Sequence, residues 1–136
     1  MSDLEALAAL AIEAGFEIHR DLGPGLLESA YEILLTASLA RAGMVVERQK
    51  PVDLAYRDIC VREAFRADLL VERRLVIEVK AVDRLAPIHS RQVLTYLRLL
   101  NLPLGLLMNF GGGTFREGLK RVANKHRANG PEVRFP

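Results

Sequence analysis

Phe65-Arg66-Ala67-Asp68-Leu69-Leu70-Val71-Glu72-Arg73-Arg74-Leu75-Val76-Ile77-Glu78-Val79-Lys80 is the stretch whose reading decides the fold. Its two halves are apolar at every odd position, the period of a strand with one buried face. Glu72-Arg73-Arg74 between them is short and polar, so the halves read as a β-hairpin. Setting Val71 opposite Leu75 puts Leu70 opposite Val76 and Asp68 opposite Glu78. Side chains alternate between faces. Asp68, Glu78 and Lys80 therefore share one face, and Phe65, Ala67, Leu69, Ile77 and Val79 share the other. Two carboxylates directly opposed cost roughly 0.2–1 kcal/mol. A divalent cation between them would offset that cost. Carboxylate oxygens suit magnesium or manganese, which keep several waters and often take only one or two carboxylates from a protein. Lys80 can orient a water or stabilise negative charge developing on phosphorus. The three form a coherent site for phosphodiester hydrolysis. The plain alternative is a pair of surface acids matched to Arg66 and Lys80. Against it, Leu70 and Val76 lie on the same face, which is then expected to be half-buried, where unpaired carboxylates are expensive.

Working outward, Leu4, Leu7, Ala11, Ala14, Ile18 and Leu22 mark one face of a helix, with Ser2 or Asp3 as N-cap. Gly23-Pro24-Gly25 ends it. A second helix is expected from about Gly25 to Ala42, with Leu27, Ala30, Leu34 and Ala37 inward and Gly43 as its C′ residue. Val52, Leu54 and Tyr56 alternate with polar or small neighbours as in a half-buried strand, and Pro51 assigns it to an edge or a bulge. Arg57-Asp58 reads as a turn, and Tyr56 and Cys60 as packing. A third helix is expected from Ile88 to Leu100, after Pro87. Leu104 to Phe110 is almost wholly apolar, which suits a strand buried on both faces. Gly111-Gly112-Gly113 is expected to end the compact part. Phe115, Leu119 and Val122 then mark a short basic amphipathic helix.

The whole chain has 136 residues, one domain's worth. Half of them are hydrophobic and 26% are charged, which excludes global disorder. The single cysteine, Cys60, cannot build a disulfide framework or a thiolate zinc site and fits a reducing, intracellular setting. The opening MSDLEALAALAIEAG carries acids where a signal peptide carries bases, and no stretch reaches the ~18–20 apolar residues of a membrane span. His19, His89 and His126 lack zinc spacing. No serine sits in a nucleophile elbow, and the glycine triplet lacks the lysine of a P-loop. Net charge is +2, with six basic and two acidic side chains in residues 111–136. Such a tail can attract a polyanion, although on charge alone it reads as a solvated segment.

Asp68, nine intervening residues and then Glu78-Val79-Lys80 resemble the D-Xn-(D/E)-X-K signature of the PD-(D/E)XK nuclease superfamily. Gly25-Leu26-Leu27-Glu28-Ser29-Ala30-Tyr31 fits GxxExxY, the pattern that names a family of small prokaryotic proteins within it, and HRDLGPGLLESAYE is similar to that family's helix junction. Gln92 and Tyr96 fit the QxxxY element of exonuclease-like branches, and PLGLLMNFG resembles the family's last core strand. The likeness spans about residues 4–125. Ala67 stands where the superfamily has a proline before the aspartate.

The resemblance implies an α/β fold of restriction-endonuclease-like type: a mixed sheet of four to five strands flanked by helices. Residues 1–125 would be the nuclease domain and 126–136 a basic tail. It implies a magnesium- or manganese-dependent nuclease acting on DNA, with RNA left open. Asp68, Glu78 and the Val79 carbonyl would hold the metal. Lys80 would assist the attacking water, and Glu28 would complete the acidic cluster. Gln92 and Tyr96, one helical turn apart, would reach the scissile nucleotide, or else form the solvent stripe of an amphipathic helix. His89, Arg20, Lys120 and Arg121 are the expected contacts to nucleic acid. His19 reads rather as a helix C-terminal cap, and Asn109 as lining the site or bonding a turn. A homodimer or a larger partner would suit so short a chain, in the cytoplasm. The competing reading is a nuclease fold without turnover that binds nucleic acid or a protein.

Overall fold

In the computed structural model, which describes residues 3–125 and 133–134, the elements are α1 (Leu4–Leu22), α2 (Glu28–Arg41), β1 (Val46–Tyr56), β2 (Ile59–Val71), β3 (Leu75–Lys80), α3 (Pro87–Leu100), β4 (Leu104–Asn109), α4 (Phe115–Gly118), β5 (Leu119–Ala123) and the two-residue β6 (Val133–Arg134). The strands form one sheet in the order β5-β4-β3-β2-β1-β6. β3 and β4 are parallel, joined by the α3 crossover, and every other neighbouring pair is antiparallel.

The hairpin has the expected register. Val71 faces Leu75, Leu70 faces Val76 and Leu69 faces Ile77. Its odd-numbered face packs under α1 and α2, where Leu69, Val71, Leu75, Ile77 and Val79 meet Leu7, Ala11, Tyr31, Leu35 and Leu39. The even face packs under α3, where Leu70, Val76 and Leu107 meet Val93 and Leu97. β4 is buried along its whole length, as a strand between two helical layers must be. At Gly105 a Cβ would stand 2.8 Å from the Val93 side chain, so glycine lets α3 sit close on the sheet.

Asp3 caps α1, accepting from the Ala6 N–H at 2.7 Å. At the far end of α2, Gly43 adopts φ 92°. Its N–H reaches the Ala40 carbonyl, and that of Met44 reaches Leu39, the paired bonds of a Schellman stop. The expected inward face of α2 is wrong. Tyr31, Glu32, Leu35 and Leu39 are buried, whereas Leu27 is 77% and Leu34 37% exposed and Ala37 is exposed. The helix is apolar on two sides, and periodicity alone does not say which one meets the sheet.

β2 begins at Ile59, not near Phe65, and only its last residues pair with β3. Its earlier part forms a long ribbon with β1 that passes beyond the helices. Tyr56 and Cys60 are therefore exposed, not packed. A bulge between Val52 and Leu54 follows Pro51, as that residue implied. Phe65 does not stay with the odd-numbered row. It packs on the α3 side and stacks on Tyr96, with ring centroids 4.1 Å apart. Coiling of the ribbon, in which Gln49 takes φ 51° and drops out of the ladder, accompanies this change of side.

The glycine triplet does not end the compact part. Phe115 is buried against Phe110, and the stretch expected as one basic helix is a single turn, α4, followed by β5 on the edge of β4. Pairing with the open edge of β4 supplies main-chain partners that an isolated short helix would lack. Of the basic tail, 126–136, only β6 falls within the described residues, and His126 lies outside them. Among the described residues no helix is long and apolar enough to cross a membrane.

Candidate active site

The β2–β3 ladder ends at Leu69–Ile77. At the next position the main chains no longer bond to each other, and the two acids take over. Glu78 Oε2 accepts from the Asp68 N–H at 2.8 Å, and Asp68 Oδ2 accepts from the Val79 N–H at 2.9 Å. Each carboxylate thus bonds the backbone of the opposite strand, and the pair sits where the strands part. Glu78 is 3% exposed and Asp68 is half-buried. Glu78 lies on the α3 face beside Leu107, and Asp68 meets it across the notch.

Crowding two acids here has an electrostatic consequence. Burial, followed by the charge of Asp68, pushes the Glu78 carboxyl up to about 8. Burial pushes Asp68 up to about 6, with the charges of Glu32 and Glu28 adding to the rise. The Val79 N–H and the Lys80 ammonium oppose the rise at Asp68, and the Asp68 N–H and Lys80 oppose it at Glu78. Lys80, the half-buried last residue of β3, is thus within electrostatic reach of both acids, as the sequence implied. Ionising both acids at once is therefore disfavoured unless further positive charge arrives, which is the property of a cation site.

The other sequence-derived residues fall at different distances from this centre. Glu28, in the first turn of α2, is half-buried and acts on Asp68 through its charge. Its motif neighbours serve the junction instead. Gly25 takes φ 116°, and the Tyr31 hydroxyl donates to the Gly23 carbonyl at 2.6 Å while accepting from the Leu26 N–H at 3.2 Å. The Tyr31 ring stacks on Phe110 at 4.6 Å. Open space surrounds the Cβ position of Gly25, so its role is conformational and close approach is not at issue. Tyr96 is half-buried, and burial and then the charges of Glu78 and Asp68 raise its hydroxyl, so α3 brings it to the acids. Gln92, one turn earlier, is exposed.

His89 Nδ1 accepts from the Ala86 N–H at 3.0 Å and so caps α3. Arg20 is exposed and paired with Asp21 at 2.9 Å. His19 does not cap its own helix. Its Nε2 lies 2.9 Å from the Gly112 carbonyl and ties α1 to the glycine loop. Asn109 bonds a turn: its Oδ1 accepts from the Val82 and Gly111 N–H groups, and its Nδ2 donates to the Val82 carbonyl. The two cations of β5 part company. Lys120 and Glu78 both pair with Leu107, so Lys120 shares the acids' face, roughly 10 Å away at ordinary strand spacing. Arg121 pairs with Leu106 on the opposite face and is held at 2.8 Å by both oxygens of Glu5.

Sequence reasoning missed the layer behind Asp68. Glu32, 3% exposed, accepts through Oε1 from Arg48 Nε and from Gln49 Nε2, each at 2.9 Å, and Gln49 Nε2 also reaches Asp68 Oδ1 at 3.2 Å. Its position one turn after Glu28 was the only signal for Glu32. Nothing in the sequence marked Arg48 or Gln49.

A family model described as the PD-(D/E)XK nuclease superfamily matches residues 5–122. The chain belongs to the PD-(D/E)XK nuclease superfamily. The mixed sheet with helices on both faces is the restriction-endonuclease-like fold that the resemblance implied. No curated protein and no solved structure matches the chain. Nucleases of this superfamily generally use divalent metals. Among the described residues, no three His, Cys, Asp or Glu side chains are grouped to hold an ion. The donor set nonetheless fits magnesium or manganese. Two hard carboxylates brought together at the notch are what such ions take, and the pair brings no soft ligand.

Proposed function

We propose that the chain is a magnesium- or manganese-dependent deoxyribonuclease of the GxxExxY branch, acting in the cytoplasm. The observation that carries this reading is the Asp68–Glu78 exchange of backbone bonds at the point where β2 and β3 part, with Lys80 on the same face. Residues 1–125 are the nuclease domain in this reading, and 126–136 a basic tail whose charge suits a polyanion.

Asp68, Glu78 and the Val79 carbonyl would hold the cation, with Glu28 completing the acidic cluster. A bound divalent ion supplies positive charge against the scissile phosphate. The remaining work falls to the chain. Lys80, at the open end of β3, orients the attacking water and stabilises the negative charge that develops on the phosphoryl oxygens. Tyr96 and Gln92 on α3 position the nucleotide. Lys120, on the same sheet face, meets the backbone of the polymer, as do Arg20 and His89 at its periphery, whereas Arg121, on the opposite face and held by Glu5, contributes less.

The test is incubation with plasmid, single-stranded DNA and RNA, with and without manganese, using Lys80→Ala and Asp68→Ala as controls. Cleavage of DNA by the wild type that both substitutions abolish is the expected result. A wild type that binds DNA without cutting more than the variants makes the protein a binding module instead.

A further inference from the structure

The mechanism above uses neither Glu32 nor Gln49, yet both are tied to its centre. Gln49 Nε2 has two hydrogens and two acceptors, Glu32 Oε1 at 2.9 Å and Asp68 Oδ1 at 3.2 Å. Because both neighbours are carboxylates, the amide must turn its nitrogen toward them. Asp68 Oδ2 is meanwhile held by the Val79 N–H at 2.9 Å. Each oxygen of Asp68 thus has a donor from a different strand, and the carboxylate cannot rotate without losing one. Behind Gln49, Arg48 Nε fixes the same Glu32 oxygen at 2.9 Å and offsets its charge.

The backbone is shaped for this contact. Gln49 takes φ 51° and is skipped by the ladder, which runs from Arg48–Leu69 to Lys50–Ala67. A non-glycine residue in the left-handed region is strained, and such strain is kept where the surroundings demand it. Here it delivers a neutral amide between two acids on different layers, Glu32 from α2 and Asp68 from β2. The amide bonds both, whereas direct contact between them would repel.

We propose that Gln49 and Glu32 are positioning residues that set how tightly the Asp68–Glu78 pair takes a divalent cation. Gln49 fixes Asp68 Oδ1, and Glu32, clamped by Arg48, fixes Gln49. This rests on the nuclease reading, since it concerns the same cation. Residues behind a ligand that orient it are typically worth 10–100-fold in metal affinity.

The experiment titrates the full chain with Mn2+, following the paramagnetic resonance signal of free Mn2+, and measures the metal-free melting temperature on the same samples. Gln49→Met keeps the length and removes the donors. Gln49→Asn keeps the amide but is too short to span both acids. Both are expected to weaken Mn2+ binding about tenfold or more while the chain stays folded. Glu32→Leu removes that acceptor and is expected to weaken Mn2+ binding as the Gln49 variants do, whereas Glu32→Gln still offers an oxygen to Gln49 and Arg48 and is expected to restore it. On DNA, kcat is expected to fall in the Gln49 variants with KM unchanged. If both Gln49 variants bind Mn2+ like the wild type, the bridge is only a tie between α2 and β1. The inference is then overturned, while the nuclease reading stands so long as Asp68→Ala abolishes binding. A wild type that takes up no Mn2+ overturns both.

Discussion

Glu78 shows most directly what the fold does to a single group. Its carboxyl is pushed from 4.5 to about 8 by burial and by Asp68, so the unfolded chain loses this proton at lower pH than the folded one. The associated stability is therefore complete below about pH 4.5 and is lost as pH rises through about 8. In EDTA, the melting temperature is expected to fall between pH 5 and pH 8.5. Glu78→Gln should flatten that slope, and Mn2+ should raise the melting temperature most at the alkaline end, where the acids are ionised. A metal-free melting temperature that climbs over this range contradicts the assigned burial. Tyr31 shows the same confinement without charge. Tyr31→Phe keeps the stack on Phe110 but removes the bonds to Gly23 and Leu26. It should cost about 1 kcal/mol in urea unfolding. Glu28 and Tyr31 were visible as a motif. That one faces the acids while the other pins a turn follows only from which side of α2 meets the sheet.

Among the elements, the hairpin was the most legible, because a short polar loop between two runs apolar at every odd position favours one register, and that register is observed. Elements defined by edges were not. Leu119-Lys120-Arg121-Val122 has too few residues to separate a helix from a strand, and the vacant edge of β4 decides the matter. The connection from β3 to α3 is held by one buried side chain. Asn109 makes three bonds to Val82 and Gly111, and at Gly111 a Cβ would come within 2.4 Å of the Val82 carbonyl oxygen. Asn109→Ala leaves three main-chain groups without that partner and should destabilise the protein by roughly 3 kcal/mol or more, at about 1–3 kcal/mol for each unsatisfied group. Calorimetry checks the stability. The loop that follows Lys80 is then freed, so cleavage at temperatures where the variant is folded should fall as well.

At the scale of the molecule, the formal charge of +2 hides an uneven arrangement. Asp68 and Glu78 meet at the notch in the sheet, while Lys120 stands on the Glu78 face two strands away. DNA binding should weaken as salt rises, with a slope set by the number of phosphates met. Lys120→Ala should reduce that slope by about one. Arg121→Ala should change it less, because that guanidinium faces the other layer and is held by Glu5. Fluorescence anisotropy with a labelled duplex, in calcium to suppress cleavage, measures both slopes. Equal losses for the two variants contradict the assignment of faces.

The succession of elements from α1 to β4, the register of the hairpin and the approach of Asp68 and Glu78 across it were determined by the sequence itself. Alternation and helical period are local, and a neighbouring element cannot change them without exposing the core. The tertiary structure alone decided which side of α2 is buried, where the β1–β2 ribbon turns over, that β5 is a strand, and that Arg48, Gln49 and Glu32 stand behind Asp68. Each of these depends on contacts between residues distant in the chain, and such contacts leave no period in the sequence.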